Sequence, residues 1–211
     1  MVRNIVFDFG GVLMKHDRAG CLSHLRQLLS DEDITHVLGF GSDNDDTLRA
    51  RFETGACDTR YFLERTLALC KSGTTEQQVI DAWNRIHAGI PDEAWAAIRQ
   101  LRTKGYRTYL MSNTDEIHWR HTLSLYRQQI DTLFDGVFLS YELGLSKPAE
   151  AFFRHVAHAI GDGQTIFVDD MAANRIAAQQ YVAWQTCASI EELNPSWNFP
   201  DLISITVSSN L

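Results

Sequence analysis

NIVFDFGGVL, at residues 4–13, is the stretch of sequence on which the fold depends. Its first half is apolar and β-branched and ends at one carboxylate, Asp8, and a Gly10-Gly11 turn follows at once. This pattern predicts a buried strand that delivers Asp8 to its C-terminal end, the edge where open α/β sheets place their chemistry. Burying a carboxylate costs free energy unless a cation or hydrogen-bond donors meet it. Asp8 is therefore a candidate site residue, and an Asp that only caps the following turn is the alternative.

Length and composition limit the classes of protein that need to be considered. The 211 residues suit one domain with an insertion, and a hydrophobic content of 45% is enough for a sizeable core. The net charge of −8 argues against binding to nucleic acid or to anionic membranes. The four cysteines form no CxxC pair, so we expect reduced thiols rather than a zinc site or a disulfide framework. No cationic, apolar leader precedes the first strand, and we expect a cytoplasmic protein that is a monomer or a weak homodimer.

Residues 16–89 form a block in which apolar residues recur at helical spacing. The predicted helices begin near Cys21, Ile34, Asn44, Asp58 and Thr75. Each is too short to be stable alone, so their apolar faces must pack against one another in a small bundle. We therefore predict an α/β core at residues 1–15 and 90–211, with a helical cap at 16–89 inserted after the first strand.

Strands and helices alternate in the remainder of the chain. Further strands are predicted at residues 106–111, 136–139, 165–168 and 183–188. The intervening helices are predicted from Pro91, across Ile117 to Tyr126, from Pro148 and across Asn174 to Tyr181. This alternation predicts a doubly wound, Rossmann-like parallel sheet. A strand-like run at residues 202–207 has no assigned place in that sheet.

The predicted strand ends collect one set of polar groups at the same edge of the sheet. Asp8, Ser112, Lys147 and the pair Asp169-Asp170 all lie there. Asp8 and one member of the pair can hold Mg²⁺, which prefers oxygen ligands. Lys147, Ser112 and the backbone amides of the Gly10-Gly11 turn can neutralise phosphate oxygens. Together these groups point to Mg²⁺ and a small phosphorylated metabolite, although each has a structural alternative by itself.

Four sequence motifs carry a resemblance to a known family. They are FDFGGVL at residues 7–13, LMSNT at 110–114, LSKPAEAFF at 145–153 and IFVDDMAAN at 166–174. In this order and at these strand ends, the set resembles the signature of the haloacid dehalogenase-like hydrolase superfamily. The helical insertion resembles its bundle-type cap. Within the superfamily, the motifs are similar to the branch of sugar-1-phosphate (glucose-1-phosphate) phosphatases and the N-terminal domains of epoxide hydrolases.

The resemblance implies roles for individual residues. Asp8 would be the nucleophile that forms an aspartyl-phosphate, and Mg²⁺ would be held by Asp8, the Gly10 carbonyl and Asp170, with Asp169 beside it. The implied phosphate-binding groups are Gly10, Gly11, Ser112, Asn113, Thr114 and Lys147. Asn174 would support the acidic loop. Asp8, Ser112 and Lys147 would be the catalytic residues of a Mg²⁺-dependent phosphomonoester hydrolase.

Gly10 departs from the family pattern. Most phosphatases of the superfamily carry at this position a second Asp that protonates the leaving oxygen and activates water. The absence of this Asp favours substrates with acidic leaving groups, such as sugar-1-phosphates. His16 or Asp17 could replace the missing Asp, although both could instead belong to a solvated linker. An L-2-haloacid dehalogenase and a non-catalytic phosphate-binding protein are alternatives. The pair Asp169-Asp170 favours phosphate chemistry, because dehalogenases of the superfamily use no Mg²⁺.

A two-component receiver domain also gathers acids, a hydroxyl and a Lys at the ends of its strands. It places its acid pair at the first strand, whereas here the pair Asp169-Asp170 follows a late strand. Nor does it carry a helical insertion like residues 16–89. The sequence therefore excludes this class.

Overall fold

The protein is described from a computed structural model, which places residues 3–38 and 47–193. Its core is one parallel sheet. The strands are β1 (Arg3–Phe7), β2 (Arg107–Ser112), β3 (Gly136–Leu139), β4 (Gln164–Val168) and β5 (Gln185–Cys187). They lie in the order β3-β2-β1-β4-β5, so the first strand occupies the centre of the sheet.

The burial of β1 explains its central position. Ile5, Val6 and Phe7 are fully buried. Phe7 lies opposite Leu110 of β2 on one side and opposite Val168 of β4 on the other. Side chains alternate between the two faces of a strand, so Ile5 and Phe7 belong to one hydrophobic cluster and Val6 to another. Both faces of the sheet are covered, which confirms the predicted doubly wound α/β fold.

Five described helices lie in the core segment that begins after the predicted block. They are α6 (Asp92–Thr103), α7 (Glu116–Leu133), α8 (Ser140–Leu143), α9 (Glu150–Ile160) and α10 (Ala172–Val182). Helix α7 extends beyond the predicted end at Tyr126, where the backbone leaves the helical region before the helix resumes. The buried Ile130 and Leu133 lie in this second part, and their packing explains the extension. Pro148 precedes α9 rather than starting it.

The predicted helical block holds α1 (Arg18–Leu28), α2 (Asp31–Leu38), α3 (Leu48–Glu53), α4 (Thr59–Leu67) and α5 (Glu76–Asn84). The carboxylate of Asp58 caps α4, and Thr75 and Gln78 form a capping box at the start of α5. The rings of Phe52 and Phe62 stack with their centroids 4.4 Å apart in a separate hydrophobic cluster. The helix expected from Asn44 is described only from Leu48, because residues 39–46 lie outside the described part. The limits of the cap at 16 and 89 remain a prediction.

Two linkers join the block to the core, and they run side by side. The amide of Lys15 donates to the carbonyl of Gly89 (3.0 Å), and that of Ala88 donates to the carbonyl of Lys15 (2.9 Å). The amide of Asp17 donates to the carbonyl of Ile86 (2.8 Å). This antiparallel pairing places His16 opposite His87. The two crossings between block and core therefore form one short ribbon.

Two further points concern membrane spanning and the strand-like run near residue 202. None of the helices within residues 3–38 and 47–193 is long and apolar enough to cross a membrane. The strand-like run at 202–207 lies outside the described residues.

Candidate active site

The structure brings the predicted polar groups to one edge of the sheet. Asp8 directly follows β1, and Ser112 is the last residue of β2. The pair Asp169-Asp170 directly follows β4, and Lys147 lies between α8 and α9. Because β1, β2 and β4 are parallel neighbours, their C-terminal ends meet at a single site.

Lys147 is the centre of the site. Its ammonium nitrogen lies 2.7 Å from Oδ1 of Asp8 and 2.8 Å from Oδ2 of Asp169. Burial alone would lower the pKa of this ammonium group, but the charges of Asp8 and Asp169 outweigh that effect and raise the pKa. Lys147 is therefore a fixed positive charge between two carboxylates.

Asp8 is buried beside this ammonium group and has one engaged oxygen. Oδ1 accepts a hydrogen bond from the amide of Phe9 (2.6 Å) in addition to the contact with Lys147. Burial raises the pKa of Asp8 to about 6, with Lys147 acting against the rise and Asp169 adding to it. No group in the described part of the chain hydrogen-bonds to Oδ2. A cation near this carboxylate would favour its charged form.

Asp169 and Asp170 are adjacent in sequence but differ in environment. Asp169 is completely buried, and its oxygens accept from Lys147, from the amide of Met171 (2.8 Å) and from the side-chain amide of Asn174 (3.0 and 3.1 Å). Asp170 is exposed, and no group within residues 3–38 and 47–193 donates to its carboxylate. Asn174 thus supports the acidic loop by holding Asp169, and Asp170 keeps free oxygens.

The acid groups fit a divalent cation. Asp8, Asp169 and Asp170 each offer an oxygen, and these atoms lie within 4.8 Å of one another. Three carboxylates that are close together, with one of them exposed, form a donor set suited to Mg²⁺ that leaves room for water and phosphate. The three predicted carboxylate ligands are therefore within reach of one ion.

The loop after β2 contributes in a way that the sequence did not reveal. The side chain of Asn113 accepts from the amide of Lys147 and donates to its carbonyl, both at 2.8 Å. The hydroxyl of Ser112 makes only a long contact, 3.5 Å, to the carbonyl of Asn113. The amide of Thr114 was expected to bind phosphate, but it donates to Oγ of Ser140 at 2.9 Å. That donor is engaged within the protein, and a contact of Thr114 with phosphate stays a prediction.

The turn after Asp8 is in close contact with its surroundings. A Cβ atom at Gly10 would lie 2.5 Å from Nε2 of His16, and one at Gly11 would lie 2.5 Å from Oδ2 of Asp170. Gly11 also has a φ angle of +81°, which disfavours any other residue there. The imidazole of His16 therefore occupies the space of the missing side chain at Gly10. Asp17, the other candidate, caps α1 by accepting from the amide of Gly20 (2.8 Å).

Sequence reasoning missed the residues that join the block to the core beside this site. Asp115 caps α7 through the amide of His118 (2.9 Å), and its other oxygen accepts from Nε1 of Trp83 in α5 (3.0 Å). Nδ1 of His118 lies 2.8 Å from this same oxygen of Asp115, and Nε2 lies 3.1 Å from the carbonyl of Trp83. Asp115 at the start of a predicted helix was the one available signal.

Comparison with known proteins gives the family. Residues 2–181 match the haloacid dehalogenase-like hydrolase family. The chain belongs to this family of hydrolases, as its motifs predicted.

Three relatives are more specific. Over 186 residues the chain is 30% identical to the D-ribitol-5-phosphate phosphatase of Bacteroides thetaiotaomicron, covering 82% of this chain and 85% of that protein. Over 84 residues it is 39% identical to the sesquiterpene phosphatase astK of Aspergillus oryzae, covering 39% and 42%. A solved structure of the HAD family enzyme BT-2542 from Bacteroides thetaiotaomicron, in complex with magnesium and inorganic phosphate, superimposes with a TM-score of 0.78 at 27% identity. The superposition covers 89% of this chain and 94% of the BT-2542 chain.

Proposed function

We propose that the protein is a Mg²⁺-dependent phosphatase that hydrolyses small sugar or sugar-alcohol phosphates through an aspartyl-phosphate on Asp8. The observation that carries this proposal is the position of Lys147, whose ammonium nitrogen lies 2.7 Å from Asp8 and 2.8 Å from Asp169. A buried nucleophilic carboxylate beside a fixed cation and an exposed carboxylate is an arrangement suited to phosphoryl transfer.

The groups proposed to hold the cation are the carboxylates of Asp8 and Asp170 and the carbonyl of Gly10. The carboxylate of Asp169 would lie beside them. When bound, Mg²⁺ would neutralise charge on the phosphate oxygens. Asp170 is the better placed member of the pair, because both oxygens of Asp169 already accept hydrogen bonds from the protein. The proposed role of Asp169 is to hold Lys147 and to add negative charge beside the ion.

In the first step, one oxygen of Asp8 attacks phosphorus and the bond between phosphorus and the leaving oxygen breaks. Lys147, Ser112 and the amides near Gly11 and Asn113 would stabilise the charge on the transferring phosphoryl group. The leaving oxygen takes up a proton as it departs. In the second step, water attacks phosphorus, loses a proton and releases phosphate from Asp8. Each step needs a proton donor or acceptor, and His16 is the side chain that fills the space beside Gly10.

Two leaving groups are candidates within the proposed substrate class. The absence of an Asp at position 10 favours an anomeric sugar-1-phosphate, whose leaving hydroxyl is more acidic than an ordinary alcohol. The Bacteroides relative is named for ribitol 5-phosphate, in which phosphate is an ester of a primary alcohol. A phosphatase without an efficient acid would hydrolyse the second substrate slowly. The relative rates on the two esters therefore report whether His16 supplies the proton.

Two other functions remain alternatives. A haloacid dehalogenase would need no acidic metal site, whereas here the carboxylate of Asp170 lies next to those of Asp8 and Asp169. A non-catalytic phosphate-binding protein would keep the same contacts but would not turn over. The proposal also includes a cytoplasmic monomer or weak homodimer. The net charge of −8 supports the further expectation that it binds neither nucleic acid nor anionic membranes.

A panel of phosphate esters tests the proposal. We expect release of phosphate from sugar-1-phosphates, polyol phosphates and aryl phosphate in the presence of Mg²⁺, and loss of release on chelation. Asp8→Asn should be inactive with every ester, because the nucleophile is lost. Binding of phosphate without turnover of any ester would favour the non-catalytic alternative. Release of halide from 2-haloacids without metal would favour the dehalogenase.

A further inference from the structure

Beside the site, four histidines lie between the two linkers and α7, and the proposed chemistry uses only one of them, His16. His16 and His87 lie opposite each other in the antiparallel backbone pairing of the two linkers. The ring centroid of His87 lies 4.9 Å from that of His118 and 5.3 Å from that of His121. We call this set, His16, His87, His118 and His121, the histidine row. It runs from the turn after the nucleophile to the contact between the helical block and α7.

The members of the row differ in how their nitrogens are used. Both nitrogens of His118 are engaged, one with Asp115 and one with the carbonyl of Trp83. Its ring also stacks on that of Trp83, with centroids 5.3 Å apart and an interplanar angle of 5°. By contrast, neither ring nitrogen of His16 or His87 hydrogen-bonds to any group within residues 3–38 and 47–193. His118 is thus a structural support, and His16 and His87 present unused polar atoms.

These two imidazoles lie beside the turn that follows the proposed nucleophile. Nε2 of His16 is 2.5 Å from the position of a Cβ atom at Gly10, and Gly10 is two residues from Asp8. The row continues from there through His87, away from the acid cluster and towards the block. A group esterified to a phosphate at Asp8 would therefore extend along His16 and then His87.

The charge state of the histidines and of their neighbours bears on which leaving groups the row can bind. Burial, followed by the charges of His118 and His121, lowers the pKa of His87 to about 3, so this imidazole is neutral and offers one donor and one acceptor. Beyond it lies Asp115, and Glu53 also acts on His118. Glu53 is itself paired with Arg49 at 3.5 Å. Arg18 is a cation near His16, at the opposite end. Asp115 is paired with His118 and Glu53 with Arg49, so the neutral imidazole of His87 is the group at this end that can hydrogen-bond to a hydroxyl.

We propose that His16 and His87 form a subsite for the hydroxyl groups of an uncharged polyol or sugar carried by the phosphate. This inference rests on the proposed function, because it concerns the leaving group of that reaction. A neutral imidazole can donate a hydrogen bond to one hydroxyl and accept one from another, so it can bind two neighbouring hydroxyl groups of a polyol. A buried donor or acceptor left unpaired by a substrate without hydroxyls would cost affinity.

Substitution of His87 tests the subsite without touching the acid cluster. The substrates are ribitol 5-phosphate, p-nitrophenyl phosphate, which lacks hydroxyls, and 2-phosphoglycolate, which carries a carboxylate. We expect His87→Ala to lower kcat/KM for ribitol 5-phosphate by about tenfold and to leave that for p-nitrophenyl phosphate within about twofold. His87→Gln, which keeps a donor and an acceptor, should recover most of the loss. His158→Ala, at an exposed histidine of α9, is the matched control.

A binding measurement separates this inference from the proposed function. In the Asp8→Asn background, calorimetric titration with ribitol 5-phosphate and Mg²⁺ should show weaker binding when His87→Ala is added. Equal losses for ribitol 5-phosphate and p-nitrophenyl phosphate, or a native preference for 2-phosphoglycolate, would overturn the subsite while leaving phosphatase activity intact. Absence of turnover with all three esters would instead contradict the proposed function.

Discussion

The side chain of Asn113 and the backbone of Lys147 exchange two hydrogen bonds, each 2.8 Å long. The two residues are 34 positions apart, at the ends of different core segments. This exchange fixes the backbone from which the Lys147 ammonium group reaches Asp8 and Asp169. The neutral amide of Asn113 can therefore control the position of the main positive charge of the site.

The first prediction concerns this exchange. Asn113→Ala should lower kcat with little change in the Mg²⁺ requirement, because Lys147 loses the contacts that hold its backbone. Lys147→Met should be more severe, with a loss of about 10²–10³-fold or more in kcat, because the charge itself is removed. Steady-state kinetics of both variants on one aryl phosphate provide the measurement. An Asn113→Ala protein with native kcat would show that the loop after α8 holds Lys147 without help.

The second prediction distinguishes the two adjacent acids. Asp170→Asn should raise the Mg²⁺ concentration needed for half-maximal activity and leave thermal stability nearly unchanged, because its carboxylate is exposed and no described group donates to it. Asp169→Asn should lower stability, because the buried Lys147 loses one of its two carboxylates. Titration of activity with Mg²⁺, together with thermal unfolding of both variants, tests the difference. If Asp170→Asn keeps full activity with an unchanged metal requirement, the proposed ligand assignment is wrong.

The sequence predicted the features that depend on local pattern. The apolar run before Asp8 indicated a buried strand, and the caps at Asp58 and Thr75 indicated helix starts that the structure contains. The approach of Asp8, Lys147 and Asp169 followed from a general property of parallel sheets, in which strand ends share one edge. None of these inferences required knowledge of how side chains pack.

Contacts between distant side chains could not be predicted in this way. Nothing in the local sequence shows that Asn113 would hold Lys147, or that Ser140 would take the amide of Thr114. The occupation of the space beside Gly10 by His16 depends on how the two linkers pair, and that pairing joins residues near 16 and near 87. Periodicity and turn signals contain no information about such pairings.

A third prediction concerns the pH dependence of stability at the contact between block and core. Burial alone would lower the pKa of His118, but Asp115 and then Glu53 outweigh it and raise the pKa above 6.5. Burial alone would raise the pKa of Asp115, but His118 lowers it below 3.8. The stabilisation from protonated His118 is therefore complete below pH 6.5 and is lost as the pH rises through the raised pKa. The stabilisation from ionised Asp115 is present above pH 3.8 and is lost as the pH falls through the lowered pKa of this carboxyl group.

Replacement of His118 tests this sign. His118→Gln should lower the free energy of unfolding more at pH 6 than at pH 9. At pH 6 the unsubstituted protein is stabilised by the protonated imidazole, and this stabilisation is lost as the imidazole deprotonates. Urea unfolding at the two pH values, with His158→Ala as the control, gives the comparison. His87 and His121 also face His118, so each should be replaced in turn to show that the pH dependence belongs to the pair with Asp115. A cost that is equal at both pH values would contradict the ion pair.

The last prediction addresses the acid that Gly10 lacks. If His16 does not protonate the leaving oxygen, rates should depend steeply on leaving-group acidity, and aryl, acyl and anomeric phosphates should react well ahead of primary alkyl phosphates. If His16 does protonate it, the native dependence should be shallow and His16→Ala should steepen it. The loss for alkyl esters in His16→Ala should then reach about 10²–10⁴-fold, with aryl phosphate little affected.

Gly10→Asp provides the complementary test, and the structure shows how it must be made. A Cβ atom at this position would lie 2.5 Å from Nε2 of His16, so Gly10→Asp alone has to displace the imidazole. The double variant Gly10→Asp/His16→Ala removes this clash and offers a carboxyl group in the same space. We expect kcat/KM plotted against leaving-group pKa to be steep in His16→Ala and flatter in the double variant, because the new acid protonates poor leaving groups. Equal slopes in the native protein, in His16→Ala and in the double variant would show that neither position supplies the proton, and that solvent or another residue does.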